Sequence, residues 1–388
     1  MDFDLSDELL AVRELGREFA EKEIAPTAAE DDRNHYFRRE IFEKMGRLGF
    51  FGCVVPEAYG GTGLGYLAMV LLTEEIARVH SSVRVHVNTQ MAPSVTLARF
   101  GTEEQKRRWI PGLVDASRIG CFAITEPDAG SDVASMSTRA TATDGGYVLN
   151  GTKVWISNAP IADWALVYAV TDREAGHRGL TAFMVELDGA GVRRGTLDKM
   201  GALASPTGTL DFDDAPVPAA HRIGAEGQGF AMCMWQLNQT RLSCAAGALG
   251  VARAAREAAV AYANQRRQFG QQIGRFQMIQ DSLARMIVEE ESARLLVYRA
   301  AHLADRGQPN NLEVSMAKYA AAEAAAHAAD SAFKILGAYG YSTEFPVERY
   351  LRDAKSYQIV EGSSNIHKLI IAQDALGYRK ANRPPEQP

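Results

Sequence analysis

The sequence lacks the features that mark several large protein classes. Only four cysteines occur in 388 residues, none in CxxC spacing, so no disulfide framework is indicated. No run of about 18 apolar residues is present, which argues against a membrane-spanning helix. Lys and Arg total 42 against 48 Asp and Glu without a dense basic block, so we expect neither nucleic acid nor a membrane as partner. The acidic start carries no signal-peptide pattern, which predicts a cytoplasmic protein.

Common catalytic signatures are also missing. No G-x-G-x-x-G lies between a strand and a helix, which disfavours a Rossmann nicotinamide enzyme. No P-loop, HExxH, zinc-type Cys/His spacing or G-x-S-x-G elbow occurs, and we expect no bound metal. The glycine cluster Gly60–Gly65 is typical of a surface turn. Any catalytic function must therefore depend on other residues.

The character of the chain changes twice, which predicts three domains and an α+β fold class. Residues 1–118 form an N-terminal helical domain, because Ser6 can cap an amphipathic helix and a further helix follows at about 66–79. Residues 119–226 carry short β-rich runs that predict a central β domain. Residues 227–388 return to helical patterns.

The central region predicts a small antiparallel barrel or sandwich. Asn150-Gly151 separates two apolar runs and predicts a hairpin with a type I′ turn, because both residues accept the positive φ values of that turn. Further strands are expected at 164–170, 180–186 and 208–212.

Long runs rich in Ala, Arg, Glu and Leu predict a helix bundle in the last region. The expected helices span about 238–264, 276–306 and 312–336. A last helix is predicted to begin near Ser363 and to end near Gly377. The polar, proline-rich residues from about 381 to 388 predict a disordered tail.

The first candidate site segment is Cys121–Asp132, where helix gives way to strand. Thr125 and Ser131 offer hydroxyl groups, and Gly130 allows the backbone to approach a flat ligand closely. Turns at domain junctions use the same residue types, so composition alone leaves that alternative open.

The second segment is 150–158. Trp155 and Ser157 alternate with Val154 and Ile156, which predicts that the indole and the hydroxyl share one face of a strand. Such a face can present an aromatic plane beside a hydrogen-bond donor. A core tryptophan remains the alternative.

The third segment is 352–367. Glu361 follows Ile359 and Val360 and precedes Gly362, and a serine at 363 or 364 can cap the next helix. Apolar surroundings favour the protonated carboxyl group and a helix N-terminus favours the carboxylate, a balance that suits a base for a carbon acid. A solvated glutamate in a first helical turn is the alternative.

Together, the three segments resemble those of the acyl-CoA dehydrogenase superfamily, and the resemblance runs from Leu5 to about Gly377. The order and separation of the motifs match. The resemblance implies an N-terminal helical domain, a central antiparallel β domain, a C-terminal four-helix bundle, bound FAD and a homotetramer. It also implies that an electron-transferring flavoprotein or a similar acceptor is a partner.

The resemblance implies a role for each matching residue. Glu361 matches the base that removes the α proton of an acyl thioester. The implied FAD contacts are Phe122, Thr125, Ser131, Trp155, Ser157, Arg266, Phe269, Gln277, Lys334 and Asn365. Of these, Arg266, Phe269 and Gln277 match positions near the FAD of a neighbouring subunit. Many members carry a Gln and a Gly where this chain has Lys334 and Ala338, and a lysine could pair with phosphate directly.

The implied substrate contacts are Arg84, Ser131, Arg241 and Gly362. Arg84 matches the arginine with which glutaryl-CoA dehydrogenases hold the far carboxylate. Decarboxylating members carry a Tyr and a Glu at positions where this chain has Val360 and Ala77. We therefore predict oxidation of a short dicarboxylyl-CoA such as glutaryl-CoA without decarboxylation.

Several alternatives remain open from the sequence. Arg84 could instead pair with Glu74 or Glu75 on the preceding helix. The thioester could be tethered to an acyl carrier protein, or be another short or branched acyl-CoA. An acyl-CoA oxidase and a non-enzymatic helical scaffold are further alternatives.

Overall fold

The computed structural model describes residues 4–382, and it confirms the α+β order of helices, sheet and helices. The helices before the sheet are α1 (Asp7–Phe19), a π-helical segment (Ala20–Ile24), α2 (Ala28–Arg33), α3 (Arg39–Arg47), α4 (Tyr66–Val79), α5 (Ser81–Phe100) and α6 (Glu103–Val114). Ser6 caps α1 as predicted, since its side chain accepts a hydrogen bond from the Leu9 N–H at 3.3 Å. None of the helices in residues 4–382 is long and apolar enough to cross a membrane.

The central region forms one eight-stranded sheet. Its strands are β1 (Gly120–Ala123), β2 (Arg139–Thr143), β3 (Gly146–Ser157), β4 (Trp164–Val170), β5 (Leu180–Glu186), β6 (Val192–Thr196), β7 (Thr207–Pro218) and β8 (Arg222–Ile223). The order is β6-β7-β3-β2-β4-β5-β8, with β1 also paired to β4. Most pairs are antiparallel as predicted, but β1 and β2 each pair with β4 in parallel, so the sheet is mixed.

The hairpin predicted at Asn150-Gly151 is wrong. Both residues lie inside β3, at a shift in its register with β7, and the turn that joins β2 to β3 contains Gly145. The Asn150 side chain donates to an Asp214 carboxylate oxygen at 3.0 Å across that irregularity. Gly151 adopts φ 143°, and a Cβ there would lie 2.7 Å from the Thr138 Cα. A bulge and a close approach therefore explain this glycine.

The C-terminal region begins with a longer helix than predicted, α7 (Gly229–Gln265). A short hairpin of β9 (Arg267–Gln268) and β10 (Gln271–Gln272) follows, and then α8 (Gln277–Asp305), α9 (Asn311–Leu336), α10 (Val347–Tyr357) and α11 (Ser364–Ala375). Helix α7 packs against α4, α5, α8, α9 and α10, so it is the central helix of the chain. Of the tail predicted to be disordered, residues 383–388 lie outside the described residues, while the Ala381 N–H donates to Asp374 at 2.7 Å.

Close helix packing brings the N-terminal helices onto α7. Gly250 of α7 lies against α4, where a Cβ would come within 2.5 Å of the Glu74 carbonyl oxygen. A glycine in a helix interior is unfavourable by roughly 0.5–1 kcal/mol relative to alanine. Here it allows the two backbones to approach, and this approach places α4 and α5 beside the C-terminal helices.

Candidate active site

Glu361 lies in the turn between α10 and α11, and side chains from other helices hold that turn. Glu361 adopts φ 59° and Gly362 adopts φ 90°. The buried Lys318 ammonium on α9 donates to the carbonyl oxygens of Tyr357 and Gly362, both at 2.7 Å. The Arg241 guanidinium on α7 donates to the Glu361 carbonyl oxygen at 2.9 Å. These bonds stabilise a backbone conformation that is unfavourable for a residue with a side chain.

The Glu361 carboxylate is half-buried and faces α5 and α7. Asn88 donates its amide to Oε1 at 2.7 Å, and Thr240 donates its hydroxyl to Oε2 at 2.8 Å. The predicted cap residue Ser363 is the N-cap of α11 but makes no side-chain capping bond. Glu361 therefore precedes the helix and is held by neutral donors from two other helices, which differs from a solvated first-turn glutamate.

A second carboxylate fixes the ends of this turn to α9. Glu323 accepts the Ser364 hydroxyl at 2.6 Å and the Gln358 amide at 2.9 Å. Together, Glu323 and Lys318 attach α9 to residues on both sides of the candidate base. The sequence interpretation named none of these α9 residues.

Arg84 lies one turn before Asn88 on the same face of α5. Its side chain is 4% exposed, and no described residue accepts a hydrogen bond from its Nε. The guanidinium carbon lies 4.9 Å from the centre of the Tyr357 ring, and the Tyr357 and Ser81 hydroxyl oxygens are 2.7 Å apart. A Cβ on Gly247 of α7 would lie 2.6 Å from the Arg84 Nε. Arg84 is thus confined between α5, α7 and α10.

The alternative in which Arg84 pairs with Glu74 or Glu75 is wrong. Glu74 accepts from Arg294 at 2.8 Å, and Glu75 accepts from Arg253 at 2.7 Å. Within residues 4–382 no carboxylate forms an ion pair with Arg84. A buried guanidinium without an anionic partner is destabilising, so an anion bound next to Arg84 would be stabilised.

The Trp155 indole stands away from the core and beside the first candidate segment. A bulge between Lys153 and Ile156 breaks the predicted alternation; Trp155 adopts φ 61° and is 57% exposed. The core alternative for this tryptophan is therefore wrong. The N–H of Val154 donates to the Thr125 carbonyl oxygen at 2.9 Å, which joins the two segments. Phe122, Thr125 and Ser157 are half-buried, whereas Ser131 is exposed.

The structure places the other predicted FAD contacts on the outer surface of the helical region. Phe269 is 93% exposed, and the half-buried Arg266 guanidinium lies 5.6 Å from the centre of the Tyr339 ring. Gln277 and Asn365 are exposed. Lys334, one of the two departures from the family pattern, is exposed and pairs with Asp330 of its own helix at 2.6 Å.

No group of metal-ligating side chains occurs in the part of the chain that the structure describes. Glu361, two neutral donors and a buried guanidinium one helical turn away form the chemically distinctive cluster. Such a cluster can remove a proton from a ligand whose other end carries negative charge.

Comparison with known proteins matches each of the three parts of the chain to a domain of one family. Acyl-CoA dehydrogenase family models match at residues 6–117 (N-terminal domain), 121–215 (middle domain) and 227–376 (C-terminal domain). A "Glutaryl-CoA dehydrogenase" from Desulfococcus multivorans is 50% identical, covering 99% of this chain and 100% of the relative.

Solved structures agree with the sequence relatives. "Structure of the glutaryl-coenzyme A dehydrogenase glutaryl-CoA complex" superposes with a TM-score of 0.97 at 48% identity and covers 100% of both chains. The "FAD complex of PigA" superposes with a TM-score of 0.93 at 31% identity, over 97% of this chain and 99% of the other.

Proposed function

The chain belongs to the acyl-CoA dehydrogenase family, and we propose that it uses FAD to oxidise the Cα–Cβ bond of a short dicarboxylyl-CoA such as glutaryl-CoA, without decarboxylation. The observation that carries this proposal is the position of the unpaired Arg84 guanidinium relative to Glu361. The named relatives support the thioester class, since a 50% identical protein is a glutaryl-CoA dehydrogenase.

The spacing along α5 matches a short dicarboxylate. Arg84 and Asn88 are four residues apart, which is about 6 Å along a helix axis. Asn88 donates to Glu361, so the base and the guanidinium are separated by about one helical turn. In a glutaryl thioester, three carbon–carbon bonds join the α carbon to the far carboxyl carbon, a distance of about 4 Å. An α carbon at Glu361 therefore leaves the far carboxylate within reach of Arg84.

The charge at this end of the site selects for the dicarboxylate. Arg84 is buried, and no ion-pair partner for it lies within residues 4–382. A substrate carboxylate would supply the missing charge and form bidentate hydrogen bonds. An uncharged acyl chain would leave the guanidinium unpaired, so butyryl-CoA is expected to react poorly.

Glu361 is proposed to take the α proton. Asn88 and Thr240 direct its two oxygens, and Arg241 fixes its backbone carbonyl. None of the described residues accepts a hydrogen bond from the Glu361 N–H. That N–H can therefore donate to the thioester carbonyl as negative charge develops on its oxygen.

The residues around Trp155 fit an isoalloxazine ring. Trp155 is exposed on a strained bulge, its neighbour Val154 is bonded to the Thr125 backbone, and Ser157 follows two residues later. This part of the sheet therefore offers an aromatic side chain and hydroxyl groups. When bound there, FAD would accept the β hydrogen as hydride.

The two-stranded segment that carries Arg266 and Phe269 exposes an aromatic side chain to solvent in the single chain. We propose that a second copy covers it in a homotetramer, that Phe269 and Gln277 reach the neighbour's FAD, and that an electron-transferring flavoprotein is the acceptor.

Two positions support the absence of decarboxylation. Val360 precedes the base and is 42% exposed, and Ala77 is buried on α4. Neither side chain can donate or accept a proton. A dienolate formed by loss of CO₂ would therefore find no proton donor at these two positions.

The decisive experiment incubates the purified protein with glutaryl-CoA and an artificial electron acceptor. We expect a product two hydrogens lighter than glutaryl-CoA, with its carboxylate retained, and no released CO₂. Crotonyl-CoA with an equivalent of CO₂ would overturn the claim about decarboxylation. Activity confined to a loaded acyl carrier protein would overturn the assignment of a CoA substrate, and Glu361→Gln serves as the inactive control.

A further inference from the structure

Lys153 is a charged residue that is completely buried, two residues before the candidate flavin contact Trp155. Its side chain is 0% exposed, and its ammonium group lies 2.8 Å from Oε1 of Glu126, whose side chain is 2% exposed. The same ammonium group donates to the Ile124 carbonyl oxygen at 3.0 Å. One side chain of β3 therefore binds both the backbone and the carboxylate of the segment that follows β1.

Glu126 in turn closes the loop that follows β1. Its Oε2 accepts from the N–H and the hydroxyl of Ser137, and its Oε1 accepts from the Thr138 N–H at 2.9 Å. Although burial alone would raise the pKa of Glu126, the Lys153 ammonium and these hydrogen bonds hold it at about 2. Lys153 and Glu126, here called the inner ion pair, thus join β3, the end of β1 and the start of β2.

Stability alone is a weak explanation for the inner ion pair. Removing two charges from water costs several kcal/mol per ion, and well-packed apolar residues are often as stable or more stable in such places. Buried ion pairs can instead select one conformation of the backbone segments that they join.

The inner ion pair is bonded to residues that adjoin the candidate flavin contacts Thr125 and Trp155. Thr125 stands between Ile124 and Glu126, both of which bind Lys153, and its own carbonyl oxygen accepts the Val154 N–H at 2.9 Å. Trp155 is the next residue after Val154, on the bulge of β3. Three successive residues of one segment are therefore attached to two successive residues of the other, immediately before the indole.

We propose that Lys153 and Glu126 are positioning residues for the flavin, which fix the separation and orientation of Thr125 and Trp155 before the cofactor binds. The inference rests on the proposed FAD site. If Thr125 and Trp155 are already fixed before the ring binds, they lose less conformational entropy on binding. The affinity for FAD is then higher without a direct contact from the ion pair. Neither residue needs to touch the flavin.

The test measures FAD binding to the apoprotein by flavin fluorescence and the unfolding of the apoprotein by urea. Lys153→Met removes the charge at similar volume, and the double variant Lys153→Met/Glu126→Gln also removes the carboxylate charge that would otherwise be left unpaired. Lys22→Met is the matched control, because Lys22 pairs with Glu18 at the same 2.8 Å in an exposed position.

The double variant is expected to fold, and its FAD dissociation constant is expected to rise about tenfold or more. Lys153→Met should show at least the same loss if it folds, and Lys22→Met should match the wild type. A folded double variant that binds FAD as tightly as the wild type would overturn the inference. A purely structural role would lower the stability of the apoprotein and leave the affinity unchanged. Wild-type protein that takes up no FAD would overturn the proposed function, and this inference with it.

Discussion

The Asn88 amide donates to the Glu361 carboxylate at 2.7 Å, which joins α5 of the N-terminal region to the turn before α11. Two regions separated by more than half of the chain thus meet at the proposed base. The bond directs one carboxylate oxygen, and its donor lies one helical turn after Arg84 on α5. One helix therefore carries both the donor to the proposed base and the proposed carboxylate-binding residue Arg84.

Asn88→Leu should lower kcat by about tenfold to a hundredfold, since hydrogen bonds to charged groups contribute roughly 1.5–3 kcal/mol. Glu361 would keep its bond from Thr240, so the proton acceptor would be present but less well directed. Steady-state rates and flavin absorbance measure the two effects separately. The absorbance is expected to stay unchanged, and an unchanged kcat would show that Asn88 does not direct the base.

Arg84→Met should change which thioester the enzyme prefers. Loss of one partner of a buried charge pair costs about 2–5 kcal/mol, so kcat/KM for glutaryl-CoA should fall by about thirtyfold or more. Butyryl-CoA carries no far carboxylate, and its kcat/KM should stay the same or rise. Arg193→Met, at an exposed pair with Asp213, is the control. An equal loss for both thioesters would contradict the role in selection.

The strands and helices with regular patterns were predictable from the sequence. The strands Trp164–Val170 and Leu180–Glu186 and the helix Tyr66–Val79 have the predicted bounds, because apolar runs end at clear breaks in each case. The Asn150-Gly151 prediction failed because the same dipeptide serves a bulge when long strands pair on both sides. Local turn chemistry cannot distinguish these two uses.

The candidate site was only partly predictable. Asn88 could have been found, because it follows Arg84 by four residues, a spacing that places two side chains on the same face of a helix. Thr240 and Lys318 carry no local signal, since their partners are 121 and 44 residues away. Lys153 was missed because a lysine in a strand is expected to be solvated, and its partner Glu126 lies 27 residues before it.

Arg294→Met should destabilise the protein strongly. The guanidinium donates to Glu74 of α4 and to Glu290 of α8, both at 2.8 Å, and both carboxylates are buried. Loss of one partner from a buried ion pair typically costs about 3–5 kcal/mol, because a charge is left uncompensated. Urea unfolding measures the change. The double variant Arg294→Met/Glu74→Gln should recover part of it, and a loss as small as that of Arg193→Met would contradict the role of this cluster.

Acid should destabilise the protein below about pH 6.5, because three histidines are buried in the neutral form. Burial lowers the pKa of His80 to about 3, of His86 to about 4 and of His367 to about 3. Between these values and about 6.5 the unfolded chain binds protons that the folded chain does not, so the free energy of unfolding falls as the pH falls.

Each of these histidines should contribute about 2 kcal/mol to the difference in unfolding free energy between pH 7 and pH 5. His80→Gln cannot bind the proton, so its difference should be smaller than that of the wild type by about this amount. His302→Gln, at an exposed position, is the control and should keep the wild-type pH dependence. Urea unfolding at both pH values measures the effect, and equal differences in all three proteins would show that His80 becomes protonated without unfolding.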